Sequence, residues 1–193
     1  MKKRTAVIGA FLSLLPLGQP LVIGTSALLT SSALMLTIPE KIQAESADFY
    51  INRGDEKYNN GENGDYYGAI SDYTKAIEID SRNAYAYGRR GIAKYDLNDL
   101  SGSLSDLTKS VEIKPDQFNL AFLADTKFKL GDYYGAISDY SKAITFDPSN
   151  FYAYKYRGMA KEKIGDLKGA CSDWRKASSL GNEGAAKWVS NQC

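Results

Sequence analysis

The sequence predicts an all-α protein whose helices stack in series as a solenoid, preceded by a separate apolar segment. A block of ten residues at 64–73 recurs unchanged at 131–140. Four aspartates, Asp65, Asp99, Asp132 and Asp166, lie 34, 33 and 34 residues apart. A unit of about 34 residues has room for two helices, which hide their apolar sides only by stacking on neighbouring units.

Residues 1–44 are predicted to direct the chain to a membrane. Residues 2–4 are basic, and the run from Thr5 to Pro39 that follows contains no charged side chain. This pattern is typical of a signal peptide, here cleaved after Ala44, or of a signal anchor that is retained. Both readings leave the basic end inside and the rest of the chain outside. We therefore expect an exported protein, periplasmic or anchored to the outer face of the inner membrane, that meets the membrane only through this segment.

Composition excludes several classes of function. The chain has 24 basic and 23 acidic residues, and residues 1–44 hold four of the former and one of the latter, so the remainder carries a net charge of −2. This balance does not favour binding to nucleic acid. The chain has no histidine and only two cysteines, which removes the commonest general base and metal ligand. We predict no metal, no cofactor and no enzymatic activity.

The 34-residue unit of two amphipathic helices resembles the tetratricopeptide repeat, and the resemblance covers residues 47–182. The family's small residue at the eighth position of each unit falls on Gly54, Gly91, Ala124 and Gly158. On the second helix of each unit, a large residue lies between two small ones on the same helical face. These large residues are Tyr73, Leu107, Tyr140 and Trp174. The resemblance implies a right-handed solenoid of four repeats, at 47–83, 84–116, 117–150 and 151–182, closed by a capping helix at 183–193.

Turn residues agree with these divisions. Gly64, Gly131 and Gly165 lie where the first helix of a repeat is expected to end in a left-handed cap, and an aspartate follows each as the N-cap of the next helix. Repeat one carries three extra residues within 59–64, which predict a longer loop between its helices. The repeated Asp, Ser and Lys positions of the second helices are expected to lie on solvated faces.

The two cysteines lie in the last part of the chain. Cys171 belongs to the second helix of repeat four, and Cys193 is the final residue. A capping helix could return Cys193 to this repeat, and an exported location permits the bond, so we predict a disulfide; the alternative is two free thiols. Residues 170–177 also resemble the related Sel1-like repeats.

In the tetratricopeptide-repeat family, the second, fifth, ninth and twelfth positions of each first helix line the inner face of the solenoid. The resemblance therefore implies a partner-binding groove, for which the alternative is packing between repeats. Its predicted residues are Tyr58, Tyr85, Tyr95, Phe118, Phe128, Tyr152, Asp55, Asp125 and Lys155. Acidic residues cluster in repeats one to three, whereas Lys129, Lys155 and Lys163 lie towards the end, which suggests a groove of graded charge.

The predicted function is that of a protein-interaction adaptor or assembly scaffold, monomeric, that holds a peptide or helix of a protein partner in this groove. The alternative is a module that binds cell-wall glycans by stacking sugars on its aromatic rings. Chaperone-binding members of the family clamp a terminal carboxylate with Lys and Asn, but Ile51 and Asp55 occupy those positions here. Binding to chaperone tails is therefore not expected.

Overall fold

The computed structural model describes residues 46–60 and 64–193, so the signal or anchor segment predicted at 1–44 lies outside the described residues. The described part of the chain is entirely helical, with turns between nine helices and no β-strand. The helices are α1 (Ala47–Tyr58), α2 (Tyr66–Ile79), α3 (Ala84–Asp96), α4 (Leu100–Ile113), α5 (Gln117–Lys129), α6 (Tyr133–Phe146), α7 (Phe151–Lys163), α8 (Leu167–Ser179) and α9 (Glu183–Gln192). No helix among these is long and apolar enough to cross a membrane.

The helices pack in consecutive antiparallel order. We call α1, α3, α5 and α7 the A helices and α2, α4, α6 and α8 the B helices, because each predicted repeat begins at the first residue of an A helix. Every helix packs on the next one along the chain, and each A helix also contacts the next A helix. The all-α solenoid of paired helices is therefore confirmed, and the A helices form a shared face.

The core follows the predicted alternation of small and large side chains. The large residues of the B helices are at most 1% exposed, and the small residues on either side of them are fully buried. Each A helix approaches its B helix closely at the eighth position of the repeat. A Cβ added at Gly54 would lie 2.7 Å from Tyr73 Cε1, and one added at Gly158 would lie 2.5 Å from Trp174 Nε1. The packing thus requires a residue without a side chain at these two positions.

Polar caps separate the helices. Asp65, Asp99, Asp132 and Asp166 each accept a hydrogen bond from the amide of the third following residue, which confirms them as N-caps of the B helices. Gly131 and Gly165 have φ values of 84° and 82°, as a left-handed cap requires. Helix α1 ends at Tyr58 with Asn59 as its C-cap, so the prediction that Gly64 caps this helix is wrong; the longer loop of repeat one separates the two.

One expectation for the B helices is wrong. An aspartate precedes the large residue in each repeat, and all four of these aspartates are buried instead of solvated: Asp72, Asp106, Asp139 and Asp173. Each carboxylate accepts hydrogen bonds from basic side chains, which compensates for its burial. The donors come from the A helix of the same repeat, with Lys142 of α6 as an additional partner of Asp139. These clusters are ion pairs between the two helices of a repeat.

The ion pair of the first repeat also alters a pKa. Burial by itself raises the pKa of Asp72, but hydrogen bonds from Arg53 and Lys57 outweigh this effect, and the net pKa lies below its ordinary value. The charged form of the carboxylate is therefore favoured in the folded state.

Helix α9 covers the last repeat. Ala185 is fully buried, and Trp188 and Val189 pack against the core of α8. Ala186, the next residue, is exposed. Cys171 and Cys193 form a disulfide in the structure, with their Cα atoms 5.7 Å apart.

Candidate partner-binding face

The second positions of α3, α5 and α7 carry exposed aromatic side chains. Tyr85 is 52% exposed, Phe118 is 66% exposed and Tyr152 is 37% exposed. Each of these residues lies in the first turn of its helix. Exposed aromatic rings offer a large contact area at a small cost in side-chain entropy, which suits a binding surface.

Two clefts lie on either side of Phe118. The first has a volume of about 380 Å³ and is lined by Tyr85, Arg89 and Ile92 on one side and Phe118 on the other. The second has a volume of about 340 Å³. Its lining consists of Phe118, Ala121, Phe122, Asp125, Asn150 and Tyr152. The two clefts and the ring between them form a continuous surface at the centre of the described repeats, which we call the Phe118 surface.

The twelfth position of the A helices behaves differently. Tyr58 packs edge-on against Tyr66, and its hydroxyl donates to Asp96 at 2.5 Å. Phe128 packs edge-on against Tyr133 in the same way. Both rings are half-buried where an A helix meets its B helix. The structure thus places these two predicted groove residues in packing between helices.

Tyr95, also at the twelfth position, lies half-buried across the junction between repeats two and three. Its ring packs edge-on against Phe122, and the Lys129 ammonium lies 3.8 Å from the ring centroid. Burial, together with the negative charge of Asp125, raises the pKa of Tyr95 to about 12. Tyr95 therefore stays protonated at physiological pH and contributes an uncharged ring to this junction.

Asp55 joins repeat one to repeat two. Its carboxylate accepts hydrogen bonds from the hydroxyls of Tyr73 at 2.7 Å and Tyr85 at 2.9 Å. It also forms an ion pair with Arg89 Nε at 2.7 Å. The guanidinium of Arg89 lies over the rings of Tyr58 and Tyr85. Three helices therefore converge on a carboxylate whose charge is balanced by a cation within the chain.

Asp125 occupies the corresponding position between repeats three and four. It is 6% exposed and accepts hydrogen bonds from the hydroxyls of Tyr140 and Tyr152, the latter at 2.6 Å. Burial raises its pKa, although these hydroxyls and the nearby Lys129 act in the opposite direction. Among the described residues, no lysine or arginine forms an ion pair with this carboxylate.

The junction between repeats two and three is apolar. Ile92 takes the place of the aspartate, Leu107 takes the place of the buried tyrosine, and Phe118 takes the place of the tyrosine that donates to it. Ile92 and Leu107 share a buried cluster with Leu123, and Phe122 packs against it. Phe118 has no hydroxyl to donate and Ile92 has no side-chain oxygen to accept, so the hydrogen bond of the other junctions is absent here. The Phe118 ring is exposed between the two clefts.

Lys155, the remaining predicted groove residue, lies beyond the Phe118 surface. Its ammonium is 4.8 Å from the ring centroid of Tyr156 and 5.4 Å from that of Trp188. Its backbone carbonyl accepts a hydrogen bond from the Trp174 indole. Lys155 thus contributes to the packing of repeat four against the capping helix.

Two contributors to this face were not among the predicted residues. Arg89 and Phe122 both occupy the sixth position of an A helix, one residue beyond the predicted fifth position. Their signal in the sequence is their spacing of four residues from Tyr85 and Phe118, which places them on the same side of the helix.

Known proteins share this fold. Residues 124–165 match the family model of the TPR repeat. The fold is that of a tetratricopeptide-repeat solenoid. A crystal structure of MamA protein is 23% identical, with a TM-score of 0.69, and the match covers 74% of this chain and 78% of that chain. No curated protein sequence matches the chain significantly.

The descriptions of two further solved structures of the same fold mention peptides. YrrB, described as a TPR protein with an unusual peptide-binding site, is 21% identical with a TM-score of 0.67, over 73% of this chain and 72% of that chain. The first TPR of Spaghetti (RPAP3), bound to the HSP90 peptide SRMEEVD, is 22% identical with a TM-score of 0.58, over 62% of this chain and 93% of that chain. At these identities the likeness concerns the fold.

Proposed function

We propose that this protein is a non-enzymatic interaction scaffold that binds a peptide or helix of a protein partner on the Phe118 surface. A single observation carries the proposal: a phenylalanine that is 66% exposed stands between two clefts on the face formed by the A helices. An exposed aromatic ring with concave surface on both sides is suited to contact with apolar side chains of a partner. Two structures of the same fold support this reading, one bound to an HSP90 peptide and one described as having a peptide-binding site.

We also propose that the protein works outside the cytoplasm, as a monomer with a Sel1-like last repeat, in the periplasm or at the outer face of the inner membrane. The uncharged segment between Thr5 and Pro39 motivates this location. The bond between Cys171 and Cys193 supports it, because disulfides persist in oxidising compartments. Mass analysis of the mature protein tests the location, since cleavage after Ala44 yields a chain that begins at Glu45.

Photocrosslinking in living cells tests the binding surface. A photoreactive residue at position 118 should trap a discrete protein band, whereas one at position 134 should not. Tyr134 is the matched control because it is 73% exposed and lies on a B helix. Position 118 is preferable to positions 95 and 128, whose side chains are half-buried in packing.

Three results are decisive. A band from position 118 that is absent from position 134 supports a protein partner. Equal trapping from both positions, or trapping from position 134 alone, places the binding surface elsewhere and refutes the proposal. If position 118 traps no protein but crosslinks to cell-wall material, and soluble cell-wall oligosaccharide competes with that crosslink, the ligand is a glycan and the proposal is refuted.

A further inference from the structure

We propose that the cleft between Phe118 and Tyr152 receives a cationic side chain, arginine or lysine, of the protein partner, and that the Asp125 carboxylate pairs with it. This inference rests on the proposed function and specifies the chemistry of the partner. Asp125 lines the cleft together with two phenylalanine rings.

The chain itself contains an example of the completed arrangement. At the junction between repeats one and two, Asp55 accepts two tyrosine hydroxyls and also pairs with Arg89. The Asp125 junction reproduces the aspartate and both tyrosines, as Tyr140 and Tyr152. The two junctions thus share three of their four polar groups.

The fourth group is missing at Asp125. Arg89 is the sixth residue of its repeat, and the sixth residue of repeat four is Tyr156, an uncharged side chain that packs against Tyr140 and Tyr152. The basic side chain whose charge acts on Asp125 is Lys129, and its ammonium lies over the Tyr95 ring. The other titratable groups that act on Asp125 are the hydroxyls of Tyr140 and Tyr152, so no cation among the described residues forms an ion pair with its carboxylate.

The cleft offers the surroundings that a cationic side chain requires. Phe118 and Phe122 line the cleft with aromatic rings, on whose faces a guanidinium or the methylene groups of a lysine can pack. A buried carboxylate that lacks a cation binds an incoming one more strongly than a solvated carboxylate does, because its charge is poorly screened by water. A sugar hydroxyl or an apolar side chain would leave this charge unbalanced.

Amide NMR titration with small probes tests the subsite directly. The probes are N-acetyl-arginine methylamide, N-acetyl-lysine methylamide and the uncharged N-acetyl-citrulline methylamide. We expect the two cations to shift the amide signals of Ala121, Asp125 and Tyr152, with dissociation constants on the order of 1 mM, a range typical of a single contact. Citrulline should bind at least about tenfold more weakly, because it lacks the charge.

Two variants complete the test. Tyr156→Arg places an arginine where the other junction has Arg89, and we expect it to occupy Asp125 internally and weaken the arginine probe by about tenfold or more. Asp125→Asn removes the charge, keeps two acceptor or donor atoms for the tyrosines and should have the same effect. Well-dispersed NMR spectra of both variants show that they are folded. Equal binding of arginine and citrulline, or full binding by Tyr156→Arg, overturns the inference.

The outcomes separate this inference from the proposed function. If the crosslink from position 118 persists unchanged in the Asp125→Asn and Tyr156→Arg proteins, the partner binds without a cationic contact and only the subsite is wrong. If position 118 traps no protein while the probes still shift the cleft, the scaffold function is wrong and the cation site remains.

Discussion

Replacing Arg90 with leucine should destabilise repeat two and its contact with repeat one by about 3 kcal/mol. The Arg90 guanidinium donates to both oxygens of the buried Asp106, at 2.8 and 2.7 Å, and to Thr74 Oγ1 at 3.1 Å. Each hydrogen bond to a charged group contributes about 1.5–3 kcal/mol. Lys94 remains 2.7 Å from Asp106 in the variant and retains part of the compensation. Leucine is a suitable replacement because Leu123 occupies the same position in repeat three.

Urea unfolding followed by far-UV circular dichroism measures the loss, and amide hydrogen exchange shows whether it is confined to helices α2 to α4. The control is Lys109→Ala, which removes a 3.6 Å ion pair with Glu112 in which both side chains are more than half exposed. Exposed pairs of this kind contribute little, so we expect a change of less than about 0.5 kcal/mol.

The double variant Arg90→Leu, Asp106→Leu tests the reasoning more sharply. Removing the carboxylate together with Arg90 eliminates the buried charge of Asp106. Lys94 then loses its partner, but its side chain is 21% exposed and can reach water, so the double variant should be more stable than Arg90→Leu alone. A loss below about 1 kcal/mol in the single variant, or a double variant less stable than the single one, would show that burial of an unpaired charge does not govern this site.

Three further predictions concern other parts of the fold. Cys193→Ser opens a disulfide with a sequence separation of 22 and should destabilise the last repeat by about 3 kcal/mol. Denaturant unfolding followed by the fluorescence of Trp174 and Trp188 measures the change, and an unchanged midpoint contradicts it. Gly158→Ala forces a Cβ to within 2.5 Å of Trp174 and should cost about 1–3 kcal/mol, whereas a raised melting temperature would show that helix propensity prevails over overpacking. The folded-state pKa of Asp72 is lowered, so its contribution to stability is present above about pH 4 and is lost as the pH falls through the folded-state pKa. The stability advantage of the unmodified protein over Asp72→Asn should therefore shrink on acidification. A stability difference that stays constant with pH contradicts the assignment.

The pattern of side-chain size along the sequence predicted the fold because the contacts of a solenoid are local. Each small residue of an A helix meets the large residue of its own B helix, as Gly54 meets Tyr73, and the pairing recurs at a fixed distance along the chain. The N-cap aspartates could be predicted for the same reason, since each bonds to an amide three residues away. Local and repeated contacts leave a periodic signal that one sequence suffices to reveal.

The aspartates of the B helices were wrongly predicted to be solvated because an aspartate on a helix surface and an aspartate facing another helix cannot be distinguished in a sequence. Asp106 is buried only because Arg90 and Lys94 of the adjacent helix reach it. The sequence signal that would have revealed it is the combination of an aspartate before each large residue and basic residues four apart on the preceding helix.

The sequence by itself determined that this chain is a helical repeat protein, where its helices begin, and which residues form its core, because these properties depend on periodicity and on near neighbours. Only the tertiary structure decided the character of the A-helix face. Tyr58, Tyr85 and Phe118 all occupy positions predicted to face the groove. In the structure the first packs between helices, the second donates a hydrogen bond to Asp55, and the third is exposed. Their environments depend on contacts between side chains of several helices that are separated in the sequence. No local pattern predicts whether these contacts pair a carboxylate with a cation or leave an aromatic ring exposed.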